Sequence, residues 1–260
     1  MNQMKSLHIL VVCTSHDDLG DTGLKTGQWL EELAAPYCIF KDSGASITLC
    51  SPQGGIIPID PNSLKPESLT NSTTRFSKDP EAVFALNNSI PLSEIDPQGF
   101  DAVFIPGGHG PLWDLTDNAT LKKILEEFDQ AGKPIAAVCH GVAALLSVQE
   151  PGGKAMVREK RVTCFSNSEE ELAGLCDVVP FLLESRLRAQ SAFYSKGHDY
   201  ASYVVTDGHL ITGQNPASSG AAAERVMTML RDLEHQLASR NKSKANQCEA
   251  PAIDILYNRV

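Results

Sequence analysis

Three short apolar runs, at residues 7–12, 102–105 and 135–138, each end in a turn signal and lead toward a segment of helical period. Apolar runs of this length without polar alternation are strands buried on both faces, the pattern of a parallel sheet covered by helices. Strands that alternate with helices build βαβ units, so an α/β fold is required. Residues 47–50 give a further strand, and the sequence Asp207-Gly-His-Leu-Ile-Thr-Gly213 gives a strand pair. Helical segments are predicted from Thr26 through Trp29, Leu30, Leu33 and Tyr37, over 121–128, and over 221–237. With 260 residues, 42% of them apolar, the chain can bury one large core. It divides into a single domain over 1–237, interrupted by a Pro-, Asn- and Ser-rich cap at about 51–98, and a polar tail over 238–260. Connections that long are lids or disordered segments.

The segment Pro134-Ile-Ala-Ala-Val-Cys139-His140-Gly141-Val-Ala-Ala-Leu-Leu146 is a buried strand that stops at cysteine and turns at once into an Ala- and Leu-rich helix. A strand-to-helix turn of this kind exposes one side chain above the sheet edge. A cysteine at a helix N-terminus meets orphan N–H groups and the positive end of the helix dipole, which favour the nucleophilic thiolate, so a depressed pKa is expected for Cys139. Free cysteines are otherwise small buried hydrophobes, and that is the reading for Cys13, Cys38, Cys50, Cys164 and Cys176. One strand earlier, Ile105-Pro-Gly-Gly-His-Gly110 offers flexible backbone at a strand end. Gly108 N–H and His140 N–H are the expected oxyanion pair.

His140 follows Cys139 directly, and neighbours at a helix start do not face each other, so His140 is expected to lean toward a carboxylate rather than onto the thiol. Ser168-Glu169-Glu170-Glu171 offers three such carboxylates, and periodicity does not select among them. On the first helix the choice is geometric. Against a stripe of Trp29, Leu33 and Tyr37, Glu31 points away while Glu32 lies at the edge and can reach inward. A carboxyl group in an apolar cleft beside a thiol has a raised pKa and can shuttle protons near neutrality.

A net charge of −10 repels phosphate backbones and anionic lipid, which argues against nucleic-acid and membrane partners. Seven cysteines, an odd number with no Cys-x-x-Cys pair, indicate reduced thiols and a cytoplasmic setting. The residues before the first strand are too short and interrupted for a secretory signal, and no run reaches the length of a membrane helix. The seven histidines include no His-x-x-x-His pair and no local His/Cys group, so no catalytic metal is expected.

Thr26-Gly-Gln-Trp-Leu-Glu-Glu32, Pro106-Gly-Gly-His-Gly110, Ala136-Ala-Val-Cys-His-Gly141 and Thr212-Gly-Gln-Asn-Pro-Ala-Ser218 together resemble the ThiJ/PfpI superfamily, in particular its glutathione-independent glyoxalase (glyoxalase III) and chaperone-like branch. The resemblance spans about residues 6–233. It implies a flavodoxin-like three-layer sandwich with a mostly parallel sheet and a small inserted cap, a nucleophilic cysteine at Cys139 and a histidine at His140. It also places the proton-shuttling glutamate at Glu32 and the histidine-orienting acid at Glu170. It further implies a small 2-oxoaldehyde substrate, no cofactor, and a homodimer. Relatives often carry a Pro-Trp segment where this chain has Gly197-His-Asp-Tyr200, which puts His198 near the mouth of the site or on a surface loop.

The chemistry expected is addition of Cys139 to a 2-oxoaldehyde such as methylglyoxal, proton transfer by Glu32, and release of a 2-hydroxy acid such as lactate. The rival readings are a stress chaperone, protein deglycase-like or thiol redox-sensing role, which would leave holdase activity intact in Cys139→Ala, and a class I glutamine amidotransferase. The amidotransferase needs a downstream His-x-Glu pair, and none occurs.

Overall fold

The structure, a computed structural model, describes residues 6–248. Strand β1 (His8–Val12) is followed by helix α1 (Leu30–Asp42) and β2 (Ser46–Ser51). Next come α2 (Asn71–Lys78), α3 (Pro80–Asn87), the short β3 (Ile90–Pro91), β4 (Ala102–Ile105), α4 (Pro111–Asp114), α5 (Ala119–Gln130) and β5 (Ile135–Val138). A 3-10 helix over Cys139–Leu145 then leads to β6 (Arg161–Val162), α6 (Asn167–Ala173), α7 (Leu183–Ala189), β7 (Phe193–Tyr194), β8 (Val204–Asp207), β9 (Leu210–Gly213) and α8 (Ser219–Cys248).

Seven strands form the central sheet in the order β3-β2-β1-β4-β5-β9-β8, parallel throughout except for β8 against β9. The apolar runs read from the sequence are its middle. Because side chains alternate along a strand, each run feeds two cores. Leu10, Val12, Val103, Ile105, Ile135 and Ala137 face the layer of α5 and α7. Ile9, Val11, Ala102, Phe104, Ala136 and Val138 face α1 and α8. Chain direction reverses between β1, which leads outward to β2, and β4, which leads to β5. In open α/β sheets the crevice at the carboxyl ends of such strands is where ligands bind.

Three sequence boundaries move. The first helix begins at Leu30 rather than Thr26, because Thr26 and Gln28 are drawn into a bridge with the segment around Ile59. The Gln28 N–H donates to Pro58 O at 2.8 Å and the Thr26 hydroxyl to Asp60 at 2.8 Å. Residues 51–98 are ordered rather than loop-like: they return β3 to the sheet edge and lay Phe76 of α2 against Tyr37 of α1, ring centroids 5.1 Å apart. The last helix runs through the boundary expected at 237 and reaches Cys248; the rest of the expected tail, 249–260, lies outside the described residues.

Candidate active site

Cys139 stands at the end of β5 with φ 55°, a left-handed conformation that costs a non-glycine residue about 1–3 kcal/mol and persists only where the surroundings impose it. The chain after it packs as a fully buried 3-10 helix, and this turn lifts the sulfur to the carboxyl edge of the sheet. It also rotates the next side chain toward the sulfur. Contrary to the expectation from helix spacing, His140 Nδ1 lies 3.4 Å from Cys139 Sγ.

The glycine loop after β4 closes the opposite side. Gly107 N–H donates to Glu32 Oε2 at 2.7 Å, and its carbonyl accepts from Trp29 N–H at 2.9 Å and from the Gln28 side-chain amide. A Cβ on Gly107 would sit 2.8 Å from Glu32 Oε2, from the Gly141 nitrogen and from the His140 nitrogen, so only glycine admits all three groups. At Gly108, φ is 102° and a Cβ would fall 2.3 Å from Gly27 O. That conformation directs the Gly108 N–H, together with the His140 N–H, at the Cys139 sulfur.

Glu32 is fully buried and its carboxyl is pushed up to about 8, chiefly by burial, with the thiol and the Gly107 N–H pulling the other way. Its Oε1 accepts no aligned hydrogen bond, yet the Cys139 thiol lies close enough to lower the carboxyl by hydrogen bonding. Cys139 is also raised, first by burial and then by Glu32, against the two N–H groups that favour thiolate. The depressed pKa expected from the sequence is therefore overturned. The sulfur is buried, and a seven-residue 3-10 helix aligns few peptide dipoles. Glu32 raises the thiol while the thiol lowers Glu32, so the two groups titrate as a coupled pair. A thiolate formed at this position faces the Gly108 and His140 N–H groups, with the Glu32 carboxyl beside it.

His140 Nε2 donates to Glu170 Oε2 at 2.6 Å, and His109 Nε2 donates to Glu170 Oε1 at 2.8 Å. Burial would raise Glu170, but the charge on His140 and the hydrogen bonds from both imidazoles outweigh it and hold the carboxyl far below its usual range. His140 is lowered by burial and by the charge of His109, with Glu170 opposing. An ionised Glu170 fixes the proton of each ring on Nε2, leaving Nδ1 of His140 as the acceptor that faces the thiol.

The three acids left open by sequence separate cleanly. Glu170 takes the two histidines. Glu169, equally buried, accepts from Ser166 N–H, Tyr200 N–H and the Asn215 amide, which ties down the 197–200 loop. Glu171 is exposed. The Thr212–Ser218 segment acts on the same loop: Gln214 Oε1 accepts from Gly197 N–H, and the Asn215 amide donates to Ala201 O. As a result Tyr200, not His198, reaches the mouth of the site.

Cys139, His140, Glu32 and Gly108 line one cavity of about 140 Å³ together with Trp29, His109, Phe165, Ala173, Tyr200 and Pro216. Glu170 lies behind its two imidazoles. Sequence reading had not drawn in His109, Phe165, Trp29 or Tyr200 as lining. His109 was within reach, since it adjoins Gly108, but no spacing links position 109 to position 170. Among the described residues, His109, His140 and Glu170 also form the one group whose ligand atoms, all within 4.8 Å, could hold a metal ion. Local spacing had not revealed this group because the fold assembles it from three distant segments. The direct imidazole–carboxylate hydrogen bonds engage those same atoms, which makes the group a hydrogen-bonded triad as it stands. Among the described residues no helix is long and apolar enough to cross a membrane.

Residues 26–229 match the model of the DJ-1/PfpI family. Glyoxalase 3 of Candida albicans is 28% identical over 228 residues, covering 84% of this chain and 96% of that protein. Among solved structures, Francisella tularensis Rapid Encystment Protein 24 kDa superposes with a TM-score of 0.83 at 40% identity, over 86% of this chain and 99% of that one. Glyoxalase III of Candida albicans superposes with a TM-score of 0.80 at 28% identity, over 85% of this chain and 96% of that one.

Proposed function

The chain belongs to the DJ-1/PfpI family, and from that premise and the geometry around Cys139 we propose that it converts 2-oxoaldehydes such as methylglyoxal to 2-hydroxy acids without glutathione. The observation that carries this reading is the pairing of a buried thiol with a buried, electrostatically coupled carboxyl at the wall of a small cavity. At about 140 Å³ the cavity holds about four to five waters' volume, which suits a three-carbon dicarbonyl and is well under the size of pockets for larger ligands. Relatives with glyoxalase names, of which Glyoxalase 3 of Candida albicans is one, support the same class of substrate.

Cys139 thiolate adds to the aldehyde carbon C1, and the Gly108 and His140 N–H groups hold the oxyanion that forms. Protonated Glu32 neutralises that oxyanion and so becomes the base. It removes the C1 proton, and the electron pair flows toward C2 and its oxygen to give an enediolate. Returning the proton to C2, with the C1 hydroxyl proton passing to O2, leaves a thioester at C1, so that one carbon is oxidised as its neighbour is reduced. Water cleaves the thioester, with His140 Nδ1 beside the sulfur as the proton acceptor, and a 2-hydroxy acid leaves. No net oxidation occurs, and the cycle needs neither glutathione nor a redox cofactor.

The test is incubation of the purified protein with methylglyoxal alone, following lactate. Wild type is expected to form lactate, while Cys139→Ala and Glu32→Gln form none. Lactate formation by Glu32→Gln at the wild-type rate would remove the proposed base.

A further inference from the structure

The steps above use one of the two imidazoles bound to Glu170. The second, His109, lies with its ring centroid 4.2 Å from that of His140 and lines the same cavity. Its side chain is 11% exposed. Phe165 packs edge-on against it, with centroids 6.1 Å apart. Both rings grip the same carboxylate, each through Nε2. One ionised carboxylate compensates one positive charge. His140 is lowered by the charge of His109 and raised by Glu170, so the two rings and the carboxylate act as one coupled group. The other groups near this pair are Cys139, Glu32, Glu169 and Tyr200; none of these is cationic, so no further positive charge competes for the carboxylate.

We propose that His109 is a catalytic residue of this site, the acid–base group for the second carbonyl oxygen of the bound 2-oxoaldehyde, coupled to His140 through Glu170. The inference rests on the reading given under Proposed function. Glu170 occupies Nε2 of His109, which leaves Nδ1 to face the cavity. When Glu32 removes the C1 proton of the hemithioacetal, the C1–H electron pair becomes the C1–C2 double bond. The former carbonyl pair of C2 moves onto its oxygen, O2, and Nδ1–H of protonated His109 donates its proton there. A neutral enediol and a neutral imidazole result. When Glu32 returns its proton to C2, the hydroxyl proton on C1 goes back to the imidazole pair and the thioester carbonyl forms. Atoms and charge balance, and the pair regains its proton each cycle. Without His109 the electron pair arriving on O2 would have no acid beside it in a site lined largely by Trp29, Phe165, Tyr200 and Pro216.

The experiment compares wild type with His109→Gln, which keeps a side-chain N–H for Glu170 but cannot exchange a proton. Two rates are read on the folded protein: lactate formation from methylglyoxal, and alkylation of Cys139 by iodoacetamide. His109→Gln is expected to lose about a hundredfold or more in lactate formation while alkylation stays within about threefold, since only the acid–base step is removed. Lactate formation within about threefold of wild type overturns the proposal, as does a parallel fall of both rates, which would mark His109 as a mere prop for Glu170 and His140. If the glutamine variant does not fold, His109→Asn is read by the same two rates. Absence of lactate from wild type overturns this proposal and the function it rests on together, whereas an active wild type beside an equally active His109→Gln overturns this proposal alone.

Discussion

Two long excursions leave the central sheet, at 51–98 and at 149–203, and they serve the site in opposite ways. The first returns β3 to the sheet edge and packs against the outside of α1. Lys41 of α1 reaches Asp79 and Glu81, Arg75 reaches Asp42, and the Thr70 hydroxyl donates to Glu31. None of its residues lines the 140 Å³ cavity. Only Glu67, Ser68 and Thr70 come near, in a shallower outer depression shared with Trp29, Tyr200 and Pro216. The second excursion builds a separate two-stranded parallel sheet from β6 and β7, and it delivers Phe165, Ala173 and Tyr200 to the cavity and Glu170 to the histidines. One excursion stiffens the helix that bears a reactive carboxyl; the other contributes side chains directly. A segment that looks like a lid in sequence can be a buttress, and a segment with no distinguishing periodicity can furnish half of a site.

The largest effect that can break this contrast is on stability. Phe76→Ala in the first excursion empties a site that is 1% exposed and should destabilise the fold by about 3–5 kcal/mol in urea unfolding. Alkylation of Cys139 in the still-folded protein should be unchanged. A large change in that rate would show that the buttress also tunes the thiol.

Glu170→Gln, in the second excursion, should do the reverse. Lactate formation should fall by about two orders of magnitude, equivalent to about 2.7 kcal/mol of barrier, with little change in the urea midpoint. A variant that instead unfolds easily while its folded fraction remains active would erase the distinction between supplier and buttress.

The smallest effect sharpens the role of the buttressed helix itself. Glu32 raises the Cys139 thiol, so Glu32→Gln removes that influence and should move the pH midpoint of Cys139 alkylation downward. A midpoint that stays put would mean that burial alone sets the thiol.

The strands β1, β4 and β5 were legible as apolar runs because burial on both faces leaves few polar residues to interrupt them, whereas Thr48 interrupts β2, whose outer half is only partly buried. Cys139 was legible because an apolar strand ending in cysteine and continuing as Ala- and Leu-rich chain leaves few alternatives to an elbow. Glu32 could be told from Glu31 by helical geometry alone, and the structure buries the first while Thr70 holds the second at the surface. The short strands β3, β6 and β7, two residues each, carry too little pattern to be read.

What the sequence determined by itself is local: the strand runs, the elbow and the inward side of the first helix all follow from periodicities of two and 3.6 residues. What only the tertiary structure decided is which distant groups meet. The left-handed turn at Cys139 brings His140 back onto the sulfur, burial turns an expected low thiol pKa into a raised one, and Glu170 is chosen over its neighbours because it alone reaches two histidines. Desolvation and long-range hydrogen bonds depend on the whole fold at once, and no window of sequence contains them.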